Sequence, residues 1–202
     1  MWARGNAIHS ETQLIQRAQA NDRAAFNEIV LRYKGKVYNY ISRMVASTTD
    51  AEDLTQETFV RAYVSIHTFQ SRASLNTWLF RIATNLCIDF NRKTKTHIQA
   101  TSLVQSQTDE EEGDLRDAPD VRFDPQRMVI NKELGTEVER ALSLLPEKLR
   151  IAVLLYDIEG LSYDEISGIV SAPLGTVKSR IFNARVQMRD TLSPYLKSNP
   201  LG

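Results

Sequence analysis

The chain has 202 residues, 42% of them hydrophobic, and its 25 basic residues balance its 25 acidic residues. This length suits one ordinary domain or two small ones. No apolar run approaches the roughly 20 residues that span a bilayer, and the N-terminus lacks the pattern of a signal peptide. The single cysteine, Cys87, cannot form an internal disulfide, and the three histidines have no metal-ligand spacing. Composition therefore predicts a cytoplasmic protein without membrane insertion, metal or other cofactor.

The neutral total conceals an uneven distribution of charge along the chain. Residues 1–96 hold 13 basic and 8 acidic residues, a net charge of +5. Residues 97–130 hold 3 basic and 8 acidic residues, a net charge of −5, and residues 131–202 hold 9 of each. Segments of opposite sign favour separate roles for the parts of the chain.

The first half of the chain is predicted to form four helices. Ser10 and Gln13 have the spacing of a capping box before a first short helix, and Asp22 can cap a second. A third helix is predicted over about 50–68 and a fourth over about 74–95. Alternating β-branched runs are few and no hairpin dipeptide occurs, so the pattern favours an all-α fold.

Residues 97–130 differ in character from both flanking parts. The stretch "SQTDEEEGDLRDAPDVRFDP" is acidic, contains glycine and proline, and has few core-forming residues. This composition predicts a flexible linker. About 34 flexible residues relax to roughly 30–35 Å and can extend to about 110 Å.

Residues 131–193 are again predicted to be helical. Gly160 is suited to end a helix, and Ser162 and Glu165 have capping-box spacing for the next one. That short helix breaks at "SAPLG", and a longer helix, "GTVKSRIFNARVQMR", follows. A short helix, a tight turn and a longer helix form a helix-turn-helix.

The last helix concentrates basic residues without any acid over residues 175–189. Helical spacing predicts a buried stripe made of Val177, Ile181, Ala184 and Met188. The neighbouring stripe comprises Lys178, Phe182, Arg185 and Arg189. The second helix of a helix-turn-helix presents such a ridge to the DNA major groove. The alternative is a solvated basic face favoured by the helix dipole, and for Phe182 a place in the core is favoured over contact with a thymine methyl group.

The fourth predicted helix has a similar two-stripe pattern. Its expected core stripe is Leu75, Leu79, Ile82, Leu86 and Phe90. The adjacent stripe is Trp78, Arg81, Asn85 and Arg92. Cations interleaved with an aromatic ring suit single-stranded DNA, because phosphates attract cations and unstacked bases stack on flat rings. The alternatives are simple packing for Trp78 and a solvated face for Arg81 and Asn85.

The third predicted helix offers a polar surface in "DAEDLTQETFVRAY". Its inward anchors are Leu54, Phe59 and Tyr63. Its outward residues are Asp53, Gln56, Glu57 and Arg61. For the acids at the helix start, stabilisation by the helix dipole is an alternative explanation.

Two blocks of the sequence resemble one protein family. "TDAEDLTQETFVRAYVSIHTFQSRASLNTWLFRIATNLCIDFNRK" resembles region 2, and "LPEKLRIAVLLYDIEGLSYDEISGIVSAPLGTVKSRIFNARVQMRDTL" resembles region 4, of bacterial RNA polymerase sigma factors. The order of the blocks, the linker and the length are similar to the extracytoplasmic function (ECF) group, with sigma-E-like members. The resemblance covers about residues 10–193.

The resemblance implies two small helical domains joined by the acidic linker, preceded and followed by short tails. The implied segments are an N-terminal tail at 1–10, a region 2 helical bundle at 11–96, the linker at 97–130, a region 4 helix-turn-helix domain at 131–193 and a C-terminal tail at 194–202. The linker is expected either to enter a positively charged channel of the polymerase or to act as a solvated spacer.

The family function implied is transcription initiation without catalysis by this chain. Such proteins bind the clamp helices of core RNA polymerase, read the −35 promoter element as duplex, and read and melt the −10 element, often in a stress or envelope response. Many are held inactive by an anti-sigma factor, which is therefore a candidate partner. The alternative is a stand-alone helix-turn-helix regulator, which would have no need of the docking and basic faces at 50–95. An enzyme is disfavoured because no phosphate loop or paired-carboxylate site is evident.

Matching positions assign residues to three surfaces. The −35 duplex would contact Thr176, Lys178, Ser179, Arg180, Phe182, Arg185 and Arg189. The −10 strand would contact Gln70, Ser71, Arg72, Ala73, Ser74, Trp78, Arg81, Asn85 and Arg92. The polymerase would contact Asp53, Gln56, Glu57 and Arg61. Arg185 is the strongest candidate for a base contact, since arginine pairs bidentately with guanine, and Thr176 lies where a helix N-terminus can meet a phosphate.

Overall fold

The computed structural model describes the backbone of residues 10–70, 73–102 and 125–198, and the side chains of 10–70, 73–96 and 133–198. The described residues form eight α-helices and no strand, which confirms the all-α prediction. The helices are α1 Glu11–Gln19, α2 Arg23–Ser42, α3 Thr48–Ser65, α4 Leu75–Ser102, α5 Pro125–Ser143, α6 Glu147–Val153, α7 Tyr163–Val170 and α8 Leu174–Ser198. A 3-10 turn at Ile66–Thr68 follows α3, and a π-helical turn at Leu154–Ile158 continues α6.

The first helices begin at side-chain caps. The Gln13 N–H donates to Ser10 Oγ at 3.3 Å and the Ser10 N–H donates to Gln13 Oε1 at 3.1 Å, so the predicted capping box is confirmed. Asp22 accepts bonds from two backbone N–H groups at the start of α2. The third helix begins two residues earlier than predicted, because the hydroxyl of Ser47 caps it.

The N-terminal domain comprises α1–α4, and in its core α2 packs against α4. The rings of Tyr40 and Phe80 meet edge-to-face with centroids 5.2 Å apart. The Tyr40 hydroxyl, although buried, is satisfied by Thr84 Oγ1 at 2.8 Å. Of the predicted core stripe of α4, three residues are buried and two, Ile82 and Phe90, are half-buried. Packing of this face stabilises the domain, because burial of apolar surface is the main favourable term in folding.

Burial of Cys87 leads to a prediction about alkaline pH. Burial raises the pKa of the Cys87 thiol to about 12, from an ordinary value of 9.0. The unfolded chain ionises first, so stability is complete below about pH 9 and falls as pH rises toward 12, by at most about 1.4 kcal/mol per pH unit for this group. Burial raises the pKa of Tyr40 as well, so its contribution has the same sign. Urea unfolding followed by circular dichroism at about pH 8 and pH 10.5 measures the loss, and Cys87→Ala should reduce it. An unchanged pH dependence in Cys87→Ala would contradict the prediction.

The core of the C-terminal domain, α5–α8, lies between α6, α7 and α8. Its fully buried members are Leu154, Leu155, Ile166, Val177 and Ala184. Gly160, with φ +71°, adopts the left-handed conformation just after the π-helical turn, and the Leu161 N–H closes the end by donating to the Leu155 carbonyl at 3.0 Å. The predicted stop at Gly160 is confirmed, and it directs the chain into α7.

Helices extend beyond three of the predicted segment ends. α4 continues to Ser102 and α5 begins at Pro125, so helix occupies both ends of the predicted linker. α8 continues through Pro194 to Ser198, so the first part of the predicted C-terminal tail is helical. Proline removes a backbone hydrogen bond, yet α8, which packs against α5, continues past this residue.

The two domains touch, with α7 packed against α4. In the contact, Arg150 Nη1 of the C-terminal domain donates to the Arg43 carbonyl at 3.5 Å. Three further hydrogen bonds join a donor of the N-terminal domain to a carboxylate of the C-terminal domain. The pairs are Arg43 Nε to Glu139 (2.8 Å), Asn91 Nδ2 to Glu147 (2.7 Å) and Thr77 Oγ1 to Glu165 (2.6 Å). Burial raises the pKa of a further carboxyl, that of Glu159, while Lys36 and Arg43 oppose the rise. Most of the contact therefore pairs hydrogen-bond donors of the N-terminal domain with carboxylates of the C-terminal domain.

None of the helices in the described ranges combines the length and apolar character that crossing a membrane requires.

Candidate nucleic-acid interface

The predicted helix-turn-helix is present as α7, residues 171–173 and α8. Ser162 and Glu165 form the predicted capping box at the start of α7. Ser171 ends α7 with φ +48°, a left-handed conformation that glycine usually supplies. The Ala172 N–H donates to the Ser167 carbonyl and the Ser167 hydroxyl donates to the Ala172 carbonyl, so the tight turn is held by its own hydrogen bonds.

The faces of α8 divide as the helical spacing predicts, with one exception. Val177, Ile181 and Ala184 are buried and Met188 is half-buried, so the predicted buried stripe is confirmed. The expectation that Phe182 belongs to the core is wrong, because its side chain is 67% exposed. Phe182 lies four residues after Lys178 and three before Arg185, so it shares their exposed ridge and not the buried face of α8.

The remaining predicted −35 residues lie at the start and outer side of α8. Lys178, Ser179, Arg185 and Arg189 are exposed, and Arg180 is half-buried. The Thr176 N–H donates to the Pro173 carbonyl at 2.9 Å, so this N–H already has a partner within the chain. The Ser179 hydroxyl donates to the Thr176 carbonyl, and Arg189 pairs with the adjacent Asp190.

Two tyrosines order the cations of this ridge. The rings of Tyr156 and Tyr163 stack with centroids 4.7 Å apart and planes 5° from parallel. Lys178 Nζ lies 5.5 Å from the centre of the Tyr163 ring, and the guanidinium carbon of Arg185 lies 5.3 Å from the centre of the Tyr156 ring. Both distances suit cation–π attraction. Sequence analysis did not identify this pair, because Gly160 lies between the tyrosines and interrupts the helical spacing.

An acidic residue meets the ridge from outside α8. Arg185 Nε donates to Asp157 Oδ2 at 3.0 Å, and Arg185 Nη2 donates to Asp157 Oδ1. This hydrogen bond raises the pKa of Arg185, so the guanidinium stays charged. Residues 175–189 of α8 contain no acid, yet the π-helical turn brings a carboxylate to Arg185, the strongest candidate for a base contact.

The predicted −10 residues lie in the loop before α4 and along α4 as far as Arg92. Ser74 caps α4 by accepting from the Thr77 N–H at 3.1 Å. Gln70, Ala73, Arg81 and Asn85 are exposed, whereas Ser71 and Arg72 lie outside the described residues. Arg92 is exposed and pairs with Asp89 at 2.9 Å. These residues lie along one side of α4 and the loop that precedes it.

Trp78 is half-buried beside that loop. Its ring lies against Phe69, with centroids 5.2 Å apart and planes at 57°. This contact agrees with the alternative that Trp78 is a packing residue. It also holds the indole beside the loop at 70–74. Trp78 therefore has a structural contact whether or not it stacks on a base.

The domain contact covers part of the same surface. Glu165 of α7 accepts from Thr77 Oγ1, and the pKa of its carboxyl is lowered mainly by that hydrogen bond. The Thr77 hydroxyl in turn lies 2.7 Å from Ser74 Oγ. A carboxylate thus occupies the hydroxyl cluster at the N-terminus of α4, while Arg81 and Asn85 stay accessible.

A third surface lies along α3. Asp53 and Gln56 are exposed, and Glu57 pairs with Arg61 at 2.7 Å. Beside them, α2 and α3 enclose a groove of about 590 Å³. The apolar part of its lining is Phe26, Val30, Phe59, Val60 and Tyr63. Sequence analysis identified the polar residues but missed the groove, because the groove depends on how α2 packs against α3.

Comparison with known proteins places both blocks of sequence in one family. Residues 29–97 match the model of sigma-70 region 2, and residues 136–188 match the model of sigma-70 region 4. The chain is 35% identical to the ECF RNA polymerase sigma-E factor of Escherichia coli (strain K12) over 189 residues, covering 91% of this chain and 95% of that protein. The chain belongs to the sigma-70 family, in its ECF group.

A second relative and two solved structures are also similar to this chain. The RNA polymerase sigma-H factor of Pseudomonas aeruginosa is 34% identical over 196 residues, covering 93% of this chain and 96% of that protein. Two solved structures share the fold. They are the sigma factor RpoE in complex with the anti-sigma factor NepR from Bartonella quintana (TM-score 0.65, 23% identity, 83% of this chain and 96% of that chain) and CnrH in complex with the cytosolic domain of CnrY (TM-score 0.62, 22% identity, 92% and 96%).

The ECF assignment decides between the two functional interpretations of the sequence. A stand-alone regulator would match at the helix-turn-helix alone, whereas this chain also matches region 2. The chain is a sigma factor, which acts with core RNA polymerase to direct transcription initiation at promoters. The roles of the individual residues stay predictions.

Proposed function

We propose that this sigma factor acts in the cytoplasm through two separate DNA surfaces, without a catalytic step of its own. The ridge of α8 reads the −35 duplex, and the loop at 70–74 together with the exposed side of α4 reads and melts the −10 strand. The observation that carries the proposal is the exposed ridge Lys178, Phe182 and Arg185 on the second helix of the helix-turn-helix, the helix that enters the major groove in this motif. The sigma-E name of its relatives favours a stress or envelope response.

The −10 part of the proposal has a geometric requirement. Unpairing a base costs a few kcal/mol, and stacking on an aromatic ring returns about 1–3 kcal/mol per base. The exposed cation Arg81 and the indole of Trp78 suit a backbone and a base respectively. Since Glu165 lies against Thr77 and Ser74, a strand that uses these hydroxyls must displace α7 from α4.

An anti-sigma factor is proposed as a regulatory partner. Both of the solved structures described above are complexes with a second protein: the sigma factor RpoE with the anti-sigma factor NepR, and CnrH with the cytosolic domain of CnrY. The exposed apolar residues of α3, Val60 and Val64, offer surface that such a partner could cover.

The groove between α2 and α3 is proposed to receive the clamp helices of the polymerase, with the predicted residues of α3 at its edge. Val60, 56% exposed, lines the groove, and Val60→Asp should weaken binding to core polymerase at least tenfold, because a charge would enter an apolar contact. Leu31→Asp is the matched control, since Leu31 is 81% exposed and does not line the groove. Competition for core polymerase against the unaltered chain measures both. Equal losses in the two variants would reject this docking site.

Run-off transcription tests the proposed function directly. Purified core polymerase is assayed with and without this chain on a library of randomised promoters, and the transcribed templates are sequenced. Two separated motifs among the selected templates are expected, one for each DNA surface. A single motif, or no gain over core polymerase alone, would contradict the two-surface proposal.

A further inference from the structure

We propose that Asp157 is a positioning residue for promoter recognition, which holds the Arg185 guanidinium by one edge so that the other edge faces a base. The proposal rests on the proposed function of Arg185 and deepens it. Asp157 itself touches no DNA and acts through Arg185 alone.

The hydrogen bonds leave the required edge of the guanidinium free for a base. Arginine has five N–H donors, and Asp157 accepts from Nε, at 3.0 Å, and from one hydrogen of Nη2. The remaining donors are the two hydrogens of Nη1 and the second hydrogen of Nη2. Bidentate recognition of guanine O6 and N7 needs two parallel donors, and this end of the fork supplies them. The aspartate and a guanine can therefore bind the same guanidinium at once.

The tyrosine pair lies against that guanidinium and limits its movement. The guanidinium carbon of Arg185 lies 5.3 Å from the centre of the Tyr156 ring, and Tyr163 supports Tyr156 by parallel stacking. A carboxylate at one edge and an aromatic ring beside the fork restrict both its direction and its tilt. Ordering a flexible side chain before binding reduces the entropy lost on binding and sharpens the choice of base.

The backbone that carries these partners is itself unusual. Tyr156 and Asp157 both lie in the π-helical turn at Leu154–Ile158, whose wider hydrogen bonding changes the direction of successive side chains. Leu154 and Leu155 of the same turn are fully buried, so the turn is anchored in the domain core. Tyr156 and Asp157, the partners of Arg185, are therefore carried by a helical turn that is anchored in the core.

The negative charge of Asp157 allows a positioning role to be distinguished from a purely electrostatic effect on DNA binding. A carboxylate close to DNA repels phosphates, so its removal alone should strengthen binding to every sequence. A positioning residue predicts the opposite for discrimination, because a guanidinium without its partner can turn toward phosphates or other bases. Affinity and discrimination should therefore move in different directions.

The experiment uses the full chain assembled with core polymerase and promoter duplexes obtained from the run-off selection. Affinity is measured by filter binding at one fixed salt concentration, for the selected −35 element and for duplexes with each guanine replaced by adenine or 7-deazaguanine. In the unaltered protein, replacing the guanine read by Arg185 should lower affinity about 5- to 150-fold. In Asp157→Asn that ratio should fall to within about threefold, with affinity for the replaced duplex unchanged or higher.

Asp190→Asn is the matched control. It removes the same charge from the partner of another α8 arginine, Arg189, at the exposed end of the ridge. We expect it to leave the discrimination ratio intact. Tyr156→Leu is the second test variant, which removes the aromatic contact but keeps every charge, and it should reduce the ratio as well. Helical circular dichroism of each variant verifies folding.

Two results would overturn the inference, and they are distinguishable. If Asp157→Asn and Tyr156→Leu keep the full discrimination ratio while Arg185→Ala loses it, then Arg185 reads a base without help from these partners. If Arg185→Ala also keeps the ratio, then the proposed base contact itself is wrong. If Asp157→Asn does not fold, the discrimination ratio of Tyr156→Leu tests the inference instead.

Discussion

Arg185→Ala is expected to cost about 1–3 kcal/mol of binding free energy at the selected −35 element and to abolish discrimination at one base position. The side chain is exposed on the outer ridge of α8 and its guanidinium is ordered by Asp157 and Tyr156. The loss should be small on duplexes that lack the preferred base, because the contact is made to the base rather than to the backbone. Filter binding of the polymerase complex over a range of salt concentrations measures both quantities.

Arg189→Ala serves as the control for Arg185→Ala. Arg189 lies on the same ridge but pairs with Asp190 near the far end. A residue that contacts only phosphate weakens binding equally on all sequences and lowers the salt dependence by about one unit. If Arg185→Ala behaves in this way, Arg185 is a phosphate contact and not a reader of sequence.

Phe80→Ala is expected to destabilise the N-terminal domain by about 3–5 kcal/mol, the largest effect on folding among these predictions. Phe80 is fully buried in α4 and meets Tyr40 of α2 edge-to-face. Its removal deletes the transfer free energy of the ring and leaves a cavity that the rigid helices fill only in part. Urea unfolding followed by circular dichroism measures the loss.

Leu144→Ala is the control for Phe80→Ala. Leu144 is 62% exposed at the end of α5, so its truncation should change stability by less than about 0.5 kcal/mol. A loss below 1 kcal/mol for Phe80→Ala would mean that α2 and α4 move together to fill the cavity. In that case the contact between Tyr40 and Phe80 would contribute much less to the fold than its burial indicates.

Local features of the fold were predictable from the sequence. The capping boxes at Ser10 and Ser162, the stop at Gly160 and the buried stripe of α8 each depend on residues within one or two helical turns. Spacing alone determines such features, because side chains three and four residues apart share a helix face. The same logic placed the predicted cations of α8 together on the outside.

Features that depend on contacts between elements were not predictable in this way. Phe182 was expected in the core, but its side chain is 67% exposed, because the face of α8 that packs into the domain carries Val177, Ile181 and Ala184. The pairing of Asp157 with Arg185 joins residues 28 positions apart, and that of Thr77 with Glu165 joins residues 88 apart. No periodicity within one helix carries information about such contacts, since they arise only after the helices pack.

The position of Trp78 supplies the protein with an intrinsic optical probe. The chain has two tryptophans, and replacing Trp2 by phenylalanine would leave Trp78 alone, packed on Phe69 beside the loop at 70–74. Indole emission shifts in wavelength and intensity with the polarity of its surroundings, and a nucleobase stacked on the ring quenches it. No tryptophan lies after residue 78, so duplex bound at α8 does not contact an indole of this chain directly. The fluorescence emission of Trp78 can therefore report binding of the −10 strand separately from binding of the −35 duplex, without an attached dye.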